Sequence, residues 1–389
     1  LPGAIDPLDL SQTLIRCPSV TPEEGGALDA LEEVLTSLGF DCHRLVFSEK
    51  GTADVDNLYA RIGKGAPNFC FAGHTDVVPI GNRDDWSIDP FGGQIREGHL
   101  FGRGVVDMKC AIACFAAAAS RFLDDNGNDF GGSISLLITG DEEGPAINGT
   151  IKVLEWMQEA GEKIDACLVG EPTSAERVGD TVKIGRRGSM NGHLSVYGVQ
   201  GHSAYPQLAD NPAPKLVEML AALDAMVLDD GNEHFQPSNL EITTIDIGNP
   251  ATNVIPAFAE AKFNIRFNDI HTGAGLSEKI RSLCEDIAKR TNARFALDFA
   301  ISGESFLTPP GELSSIMQRA IETRTQQTPV LSTTGGTSDA RFIKDFCPVA
   351  EFGLCNATAH KVDENATVED IRALADIYED ILRKYFSGQ

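Results

Sequence analysis

The stretch Ser135–Gly149, "SLLITGDEEGPAING", decides how this chain is read. It opens as a short apolar run, the pattern of a strand buried on both faces, and empties through Gly140 into three adjacent acids, Asp141, Glu142 and Glu143. Three neighbouring carboxylates repel one another, so such a run is either a solvated loop or a place where cations are held. Other strand candidates end in the same manner. "NFCFAGH" stops at His74 with Asp76 two residues on, and "DACLVG" stops just before Glu171. Between the first strands lies "MKCAIACFAAAASRFLDD", a helix by length and composition, and "LDALEEVLTSLGF" has helical spacing with a stop at Gly39. Alternating strands and helices predict an α/β unit with a mostly parallel sheet flanked by helices, in which loops after the carboxyl ends of strands carry the chemistry.

The pattern changes in the middle of the chain. "SMNGHLSVYGV", "LEITTIDIG" and "AFAEAKFNIRF" alternate or run β-branched, and the helices "NPAPKLVEMLAALDAMV" and "GLSEKIRSLCEDIAKRT" lie among them. This predicts an α+β four-stranded domain over residues 188–301, inserted into a catalytic domain formed by residues 1–187 and 302–389. The last part closes with the helix "TVEDIRALADIYEDILRKYF". There is no internal repeat and no low-complexity segment.

Composition narrows the partners. The 389 residues, 42% apolar, are enough for two cores. A net charge of −25 makes nucleic acid and anionic membrane poor partners, so an anionic small-molecule substrate must be met by local cations. No apolar run reaches the ~18 residues of a membrane span. The first residues, "LPGAIDPLDL", lack a basic segment followed by an apolar one, so a cytoplasmic protein is expected, and the missing initiator Met implies a trimmed or engineered start. The nine cysteines contain no C-x-x-C pair. Cys110 and Cys114 read as small buried apolar residues, and thiolate-bound metal is not expected.

Imidazoles and carboxylates do gather at strand ends: His74 and Asp76, Asp107 in "GRGVVDMK", Glu142 and Glu143, Glu171, and His360 in "NATAHKVDE". Such a set suits zinc, with manganese or cobalt as alternatives, and is large enough for two ions. A carboxylate can bridge two metals, each of which then needs one His and one further carboxylate. Asp107 as bridge, His74 with Glu171, and Glu143 with His360 fill that scheme. Glu142 is left to act as a base on water, Asp76 to accept the other ring N–H of His74, and Asp141 to serve in a turn or as a supporting acid. His43, His99, His193, His234 and His271 show no partner pattern. Each ligand taken singly also has a structural reading. The number of separate loops offering complementary ligands favours the functional one.

The segments "GHTDVVP", "GRGVVDMKCAIA", "TGDEEGPAINGT", "VGEPT" and "ATAHKVDE" resemble the signature segments of the di-zinc carboxypeptidases and deacylases, a family that includes acetylornithine deacetylase, aminoacylase and glutamate carboxypeptidase. The resemblance spans nearly the whole chain. It implies a zinc-exopeptidase-like fold interrupted by a dimerisation domain, two Zn²⁺ per subunit on His74, Asp107, Glu143, Glu171 and His360 with Asp107 bridging, and Glu142 as general acid/base. It also implies a homodimer in which His202, in "QGHSAYP", reaches the neighbouring subunit's site to hold the developing oxyanion.

Four further segments, "GRRGSMNGHLSVYGVQGHSAYPQLADNP", "NVIPAFAEAKFNIRF", "STTGGTSDARF" and "EFGLCNATAHKVDE", look like a branch of that family acting on an acyl amide with three carboxylates. Arg186, Ser189, Asn253, Arg266, Thr333 and Ser338 are then the candidates for binding it. The structural alternatives are a surface pair for Arg186 and Arg187 and a strand-edge ion pair for Arg266. One departure is "NPAPKL", where an Ile-His pair more commonly follows Asn-Pro; it falls at an expected helix start. Rival readings are another deacylase of the family, a carboxypeptidase, and a non-catalytic dimeric binding module.

Overall fold

The computed structural model describes residues 4–387. They form two compact units. One comprises the chain up to Ile184, Thr308–Ser332 and the chain from Ser338 onward; the other comprises Gly185–Leu307 with Thr333–Thr337.

The first unit is built on an eight-stranded sheet in the order Asp41–Phe47, Val55–Gly63, Ser133–Thr139, Asn68–His74, Ala166–Val169, Val349–Glu351, Thr181–Lys183, Val330–Ser332. The sheet is mixed. Its first two strands run antiparallel, whereas Asn68–His74 runs parallel to both of its neighbours. Every residue of Asn68–His74 and Ser133–Thr139 is buried, which is why these segments read as continuous apolar runs with no alternation.

The Ala-rich helix Cys110–Asn126 packs against the final helix, Val368–Ser387. Ala116, Ala117, Ala118 and Ala119 are fully buried, and side chains this small let neighbouring elements approach closely. Phe71 of the sheet stacks on Phe115 of the first helix at 4.4 Å and meets Tyr378 of the second edge-on at 5.8 Å. The Tyr378 hydroxyl donates to the Phe352 carbonyl at 2.6 Å, so its buried polar atom is satisfied. Burying one such Phe contributes roughly 1.5–3 kcal/mol. All nine cysteines are free, and burial pushes the Cys110 thiol up to about 12, so it stays protonated as a small apolar side chain.

Register places the functional loops. Thr139 pairs with His74 on one side of the central strand, and Val169 pairs with Ala72 on the other. Because the three strands run the same way, His74, the acids after Thr139, and Glu171 leave the sheet at one edge.

The second unit holds a four-stranded antiparallel sheet in the order Asn239–Asp246, Phe258–Phe267, Gly188–Tyr197, Arg294–Gly303. Helices Pro212–Asp224 and Gly273–Thr291 share a core with it: Leu216, Leu220 and Ile280 pack with Leu194, Phe263 and Ile265. Phe258–Phe267 buries every second residue most deeply, the signature of a strand with one covered face. The sequence pattern does not single out Arg294–Gly303. Only Leu297 of its ten residues is buried, so its apolar signal is weak. At "NPAPKL", the Asn211 side chain accepts from the Ala213 N–H at 3.1 Å and Pro212 opens the helix. Among the described residues no helix is long and apolar enough to cross a membrane.

Candidate metal centre

All of the centre lies in the first unit. His74 ends a buried strand, and Asp107 sits in an irregular turn, Val105–Lys109, ahead of the Ala-rich helix. His360 stands at φ +61°, a left-handed conformation uncommon for a residue with a side chain and often found at functional positions. Asp107 faces both imidazoles: Oδ1 lies 3.2 Å from His74 Nε2, and Oδ2 lies 3.1 Å from His360 Nε2. Glu171 Oε1 is 3.8 Å from His74 Nε2, and Glu143 Oε1 is 2.7 Å from His360 Nε2. Two donor groups result, His74–Asp107–Glu171 and Asp107–Glu143–His360, each with its ligand atoms within 4.8 Å of one another. Asp107 is common to both. A third combination, His74–Glu142–Glu143, also lies within that reach.

Asp76 faces the second ring nitrogen of His74 with both its carbonyl and its carboxylate, Oδ1 lying 3.5 Å from Nδ1. His74 Nδ1–H donates to the main-chain carbonyl of Asp76 at 2.9 Å, which presents Nε2 to the donor groups. The Asp76 carboxylate also accepts from the main-chain N–H groups of Glu142 at 3.3 Å and Glu143 at 3.0 Å. A buried carboxylate favours two well-placed amide donors, and this pair fixes the acidic loop. Asp141 turns the other way: Oδ2 accepts from the N–H groups of Ile147 and Asn148, ordering the loop ahead of the helix Thr150–Ala160.

The charge balance tests whether cations fit. Burial opposes protonation of His74, yet hydrogen bonds to Asp107 and Asp76 and the charge of Glu142 hold its pKa well above the usual imidazole value. Asp107 and Glu143 lift His360 to about 10. Burial would raise Asp107, but the two imidazoles hold it below the ordinary carboxylate range. Burial pushes Glu142 well above the usual carboxyl value, with Glu171 adding to the effect and His74 opposing it. Four carboxylates, Asp76, Asp107, Glu142 and Glu143, thus draw protons onto two imidazoles. The donor set asks for positive charge, and divalent cations would displace those protons. Its all-nitrogen-and-oxygen character suits zinc, cobalt or manganese.

A sequence profile of Peptidase family M20/M25/M40 matches residues 70–384. The chain belongs to that family. One relative of this M20-family chain, succinyl-diaminopimelate desuccinylase of Parvibaculum lavamentivorans, is 60% identical over 384 residues, covering 99% of this chain and 96% of the relative. Among solved structures, a tripeptidase from Staphylococcus aureus superposes with a TM-score of 0.78 at 17% identity, over 100% of both chains. A dinuclear metal-binding M20 peptidase from Bacillus subtilis superposes with a TM-score of 0.71 at 15% identity, over 97% of both chains. These two likenesses speak for the fold.

The other candidate residues of this M20-family chain are distributed over both units. Ser338 is in the first, its buried hydroxyl without a hydrogen-bond partner among the described residues. Arg186, Ser189, His202, Asn253, Arg266 and Thr333 are in the second. Ser189 pairs directly with Arg266 across neighbouring strands. Arg187 and Arg266 are both half-buried, and burial, together with Arg266, lowers the pKa of Arg187. Arg186 donates to the Gly336 carbonyl at 3.1 Å, and Thr333 to the His234 carbonyl at 2.5 Å. His202 and Asn253 share a short ladder: His202 pairs with Val254, and the Ser203 N–H donates to Asn253 O at 3.0 Å. His202 Nδ1 accepts from the Ala204 N–H at 3.0 Å, so the neutral ring carries its proton on Nε2 and offers it outward from an exposed position.

Sequence reading misses Arg103 and Glu364, two fully buried charges beside the centre. Both lie inside or next to the quoted motifs "GRGVVDMK" and "AHKVDE", but nothing in their spacing distinguishes them from surface charges. His193 pairs with Glu260 at 2.8 Å and His271 with Asp229 at 3.0 Å, both structural contacts within the second unit.

Proposed function

We propose that the chain hydrolyses N-succinyl-LL-2,6-diaminopimelate to succinate and LL-2,6-diaminopimelate, a step toward lysine and cell-wall precursors. The observation that carries the reading is the pair of donor groups sharing Asp107, in a chain similar over its full length to a desuccinylase. Hydrolysis of an amide bond is the chemistry common to that relative and the family. In this reading His74, Asp107 and Glu171 hold one cation and Asp107, Glu143 and His360 the other, with Zn²⁺ the natural occupant and Co²⁺ or Mn²⁺ substitutes. Bound there, the cations supply Lewis acidity for the scissile carbonyl and for a water molecule.

The residues handle the proton and the charges. Glu142 accepts a proton from the attacking water as its oxygen adds to the amide carbon. It returns that proton to the leaving nitrogen as the C–N bond breaks. A carboxyl raised by burial and by Glu171 suits both roles, because proton affinity nearer neutrality favours taking and giving in turn. His202, with its proton on Nε2, is a donor for the tetrahedral oxyanion. Arg186 and Arg266, with Ser189, Asn253, Thr333 and Ser338, take the carboxylates of the substrate. We read the protein as a cytoplasmic homodimer joined through the second unit, His202 being supplied by the second copy.

In a side-by-side assay with and without added Zn²⁺, N-succinyl-LL-diaminopimelate is expected to be hydrolysed far faster than N-acetylornithine, and only with metal. Preference for acetylornithine would refute the substrate, and turnover of neither would favour a binding module. His202→Ala is expected to lower kcat by about 10²–10³-fold, the usual cost of losing an oxyanion donor, with metal content unchanged. Wild-type turnover in that variant removes His202 from the chemistry.

A further inference from the structure

We propose that the buried pair Arg103–Glu364 is a positioning device that sets the loops of Asp107 and His360 against each other, and thereby governs the affinity of the cation position formed by Asp107, Glu143 and His360. The proposal rests on the two-cation reading above and concerns two residues outside the ligand set.

Glu364 is fully buried and Arg103 nearly so. Arg103 Nη1 donates to Glu364 Oε2 at 2.7 Å. Each carboxylate oxygen has a second task. Oε2 also accepts from the Gly104 N–H at 3.2 Å, while Oε1 accepts from the N–H groups of Val106 at 2.8 Å and Asp107 at 3.2 Å. One carboxylate therefore holds three amides of the turn that carries the shared ligand. Gly104 is at φ +84°, and a Cβ there would meet Val77 at 2.7 Å, so the turn has little freedom to be rebuilt around another residue.

The guanidinium reaches the opposite loop. Nη1 donates to the Lys361 carbonyl at 3.2 Å and Nη2 to the His360 carbonyl at 3.4 Å, with the group lying over the Trp86 ring at 5.2 Å. Trp86 is fixed in turn by its indole N–H to the Ile80 carbonyl at 2.9 Å. The Gly102 N–H closes the connection by donating to the Glu364 carbonyl at 3.0 Å. Residues more than 250 positions apart in sequence, Asp107 and His360, are thus tied through one ion pair.

A buried ion pair is weak evidence for stability, since desolvating two charges offsets much of their attraction. Here the Glu364 oxygens take main-chain N–H groups of the Asp107 turn, and Arg103 Nη1 and Nη2 give to carbonyls of the His360 loop while the buried Nε is left without a partner among the described residues, an arrangement whose hydrogen bonds tie the two ligand loops together. Glu364 itself is not available as a ligand, because each of its oxygens already accepts two donors. The asymmetry is partial: among the described residues the pair hydrogen-bonds the main chain of both Asp107, which the two positions share, and His360, which belongs to one, and has no hydrogen bond to His74 or Glu171.

The test is competitive titration of metal-free protein with Co²⁺ against a chromophoric chelator, with the Co²⁺ absorption spectrum reporting ligand geometry. In Glu364→Gln the position using His360 is expected to lose about 10–100-fold in affinity, the range typical for groups that orient ligands, with an altered spectrum. The His74–Glu171 position shares Asp107 and is expected to weaken as well, but by a smaller factor, because its other two ligands have no hydrogen bond to the pair. Excess metal should restore kcat toward wild type, with KM for the succinyl amide unmoved. Arg103→Lys, which keeps the buried charge but loses the fork, should show the same selectivity more mildly and carries the test should Glu364→Gln not fold. Glu162→Gln, which breaks the remote pair with Arg61, serves as the stability control and should leave both affinities unchanged. Affinities and spectra like wild type in a folded Glu364→Gln variant, equal losses at both positions, or an equal effect from Glu162→Gln would each overturn the proposal. Wild-type protein that binds fewer than two ions would instead remove the reading beneath it.

Discussion

Replacing Glu142 by Gln is expected to lower kcat at least about 10²-fold while two cations remain bound per chain. Gln has nearly the shape of Glu and can still accept hydrogen bonds, but it cannot take a proton from water or return one to an amine. The main-chain N–H of residue 142 is held by Asp76 whatever the side chain, so the loop should not move. The contrast with the next residue sharpens the claim. Glu143 lies 2.7 Å from His360 and belongs to a donor group built on Asp107, so Glu143→Gln should lose a cation as well as turnover. Glu142 also lies within reach of His74 and Glu143, and a ligand role there is the competing reading. Metal analysis separates the two: loss of an ion in Glu142→Gln favours the ligand role, and retention of more than about a tenth of wild-type kcat rules out the proton-carrying role.

Strand ends were the legible part of the centre. His74, the acids after Thr139, and Glu171 announce themselves because fully buried strands are uninterrupted apolar runs, and a polar residue that ends such a run stands at the sheet's edge. The same logic made the α/β unit and the helices of the second unit readable. It failed for Arg294–Gly303, whose side chains are too exposed for the apolar period to show. It also showed only part of what Asp76 does. Sequence places an acid two residues from His74, but that its carbonyl takes the ring N–H while its carboxylate, 3.5 Å from the ring, also holds the amides of Glu142 and Glu143 depends on where those amides arrive from another strand. Arg103 and Glu364 were hidden for a related reason. A buried ion pair is defined by its partners across 261 residues, and neither member differs locally from the solvated charges that are common in this acidic chain.

Asp107→Asn is expected to cost both cation positions together, with turnover falling to background. The carboxylate turns one oxygen to His74 at 3.2 Å and the other to His360 at 3.1 Å, so a single side chain serves each donor group with a separate atom. An amide keeps the shape but offers one acceptor and one NH₂, and it carries no charge to set against two dications. One position must therefore face a donor where it needs a lone pair, and the other loses its share of negative charge. The loss should exceed the about 10–100-fold expected for Glu364→Gln, because a ligand is removed and not merely its support. Glu171→Gln and Glu143→Gln provide the comparison, since each belongs to only one of the two groups built on Asp107 and should leave one ion bound. Metal content after dialysis against a weak chelator distinguishes the patterns. If Asp107→Asn retained one ion as tightly as wild type, Asp107 would serve a single position, and the shared-carboxylate geometry would have to be replaced by two independent sites.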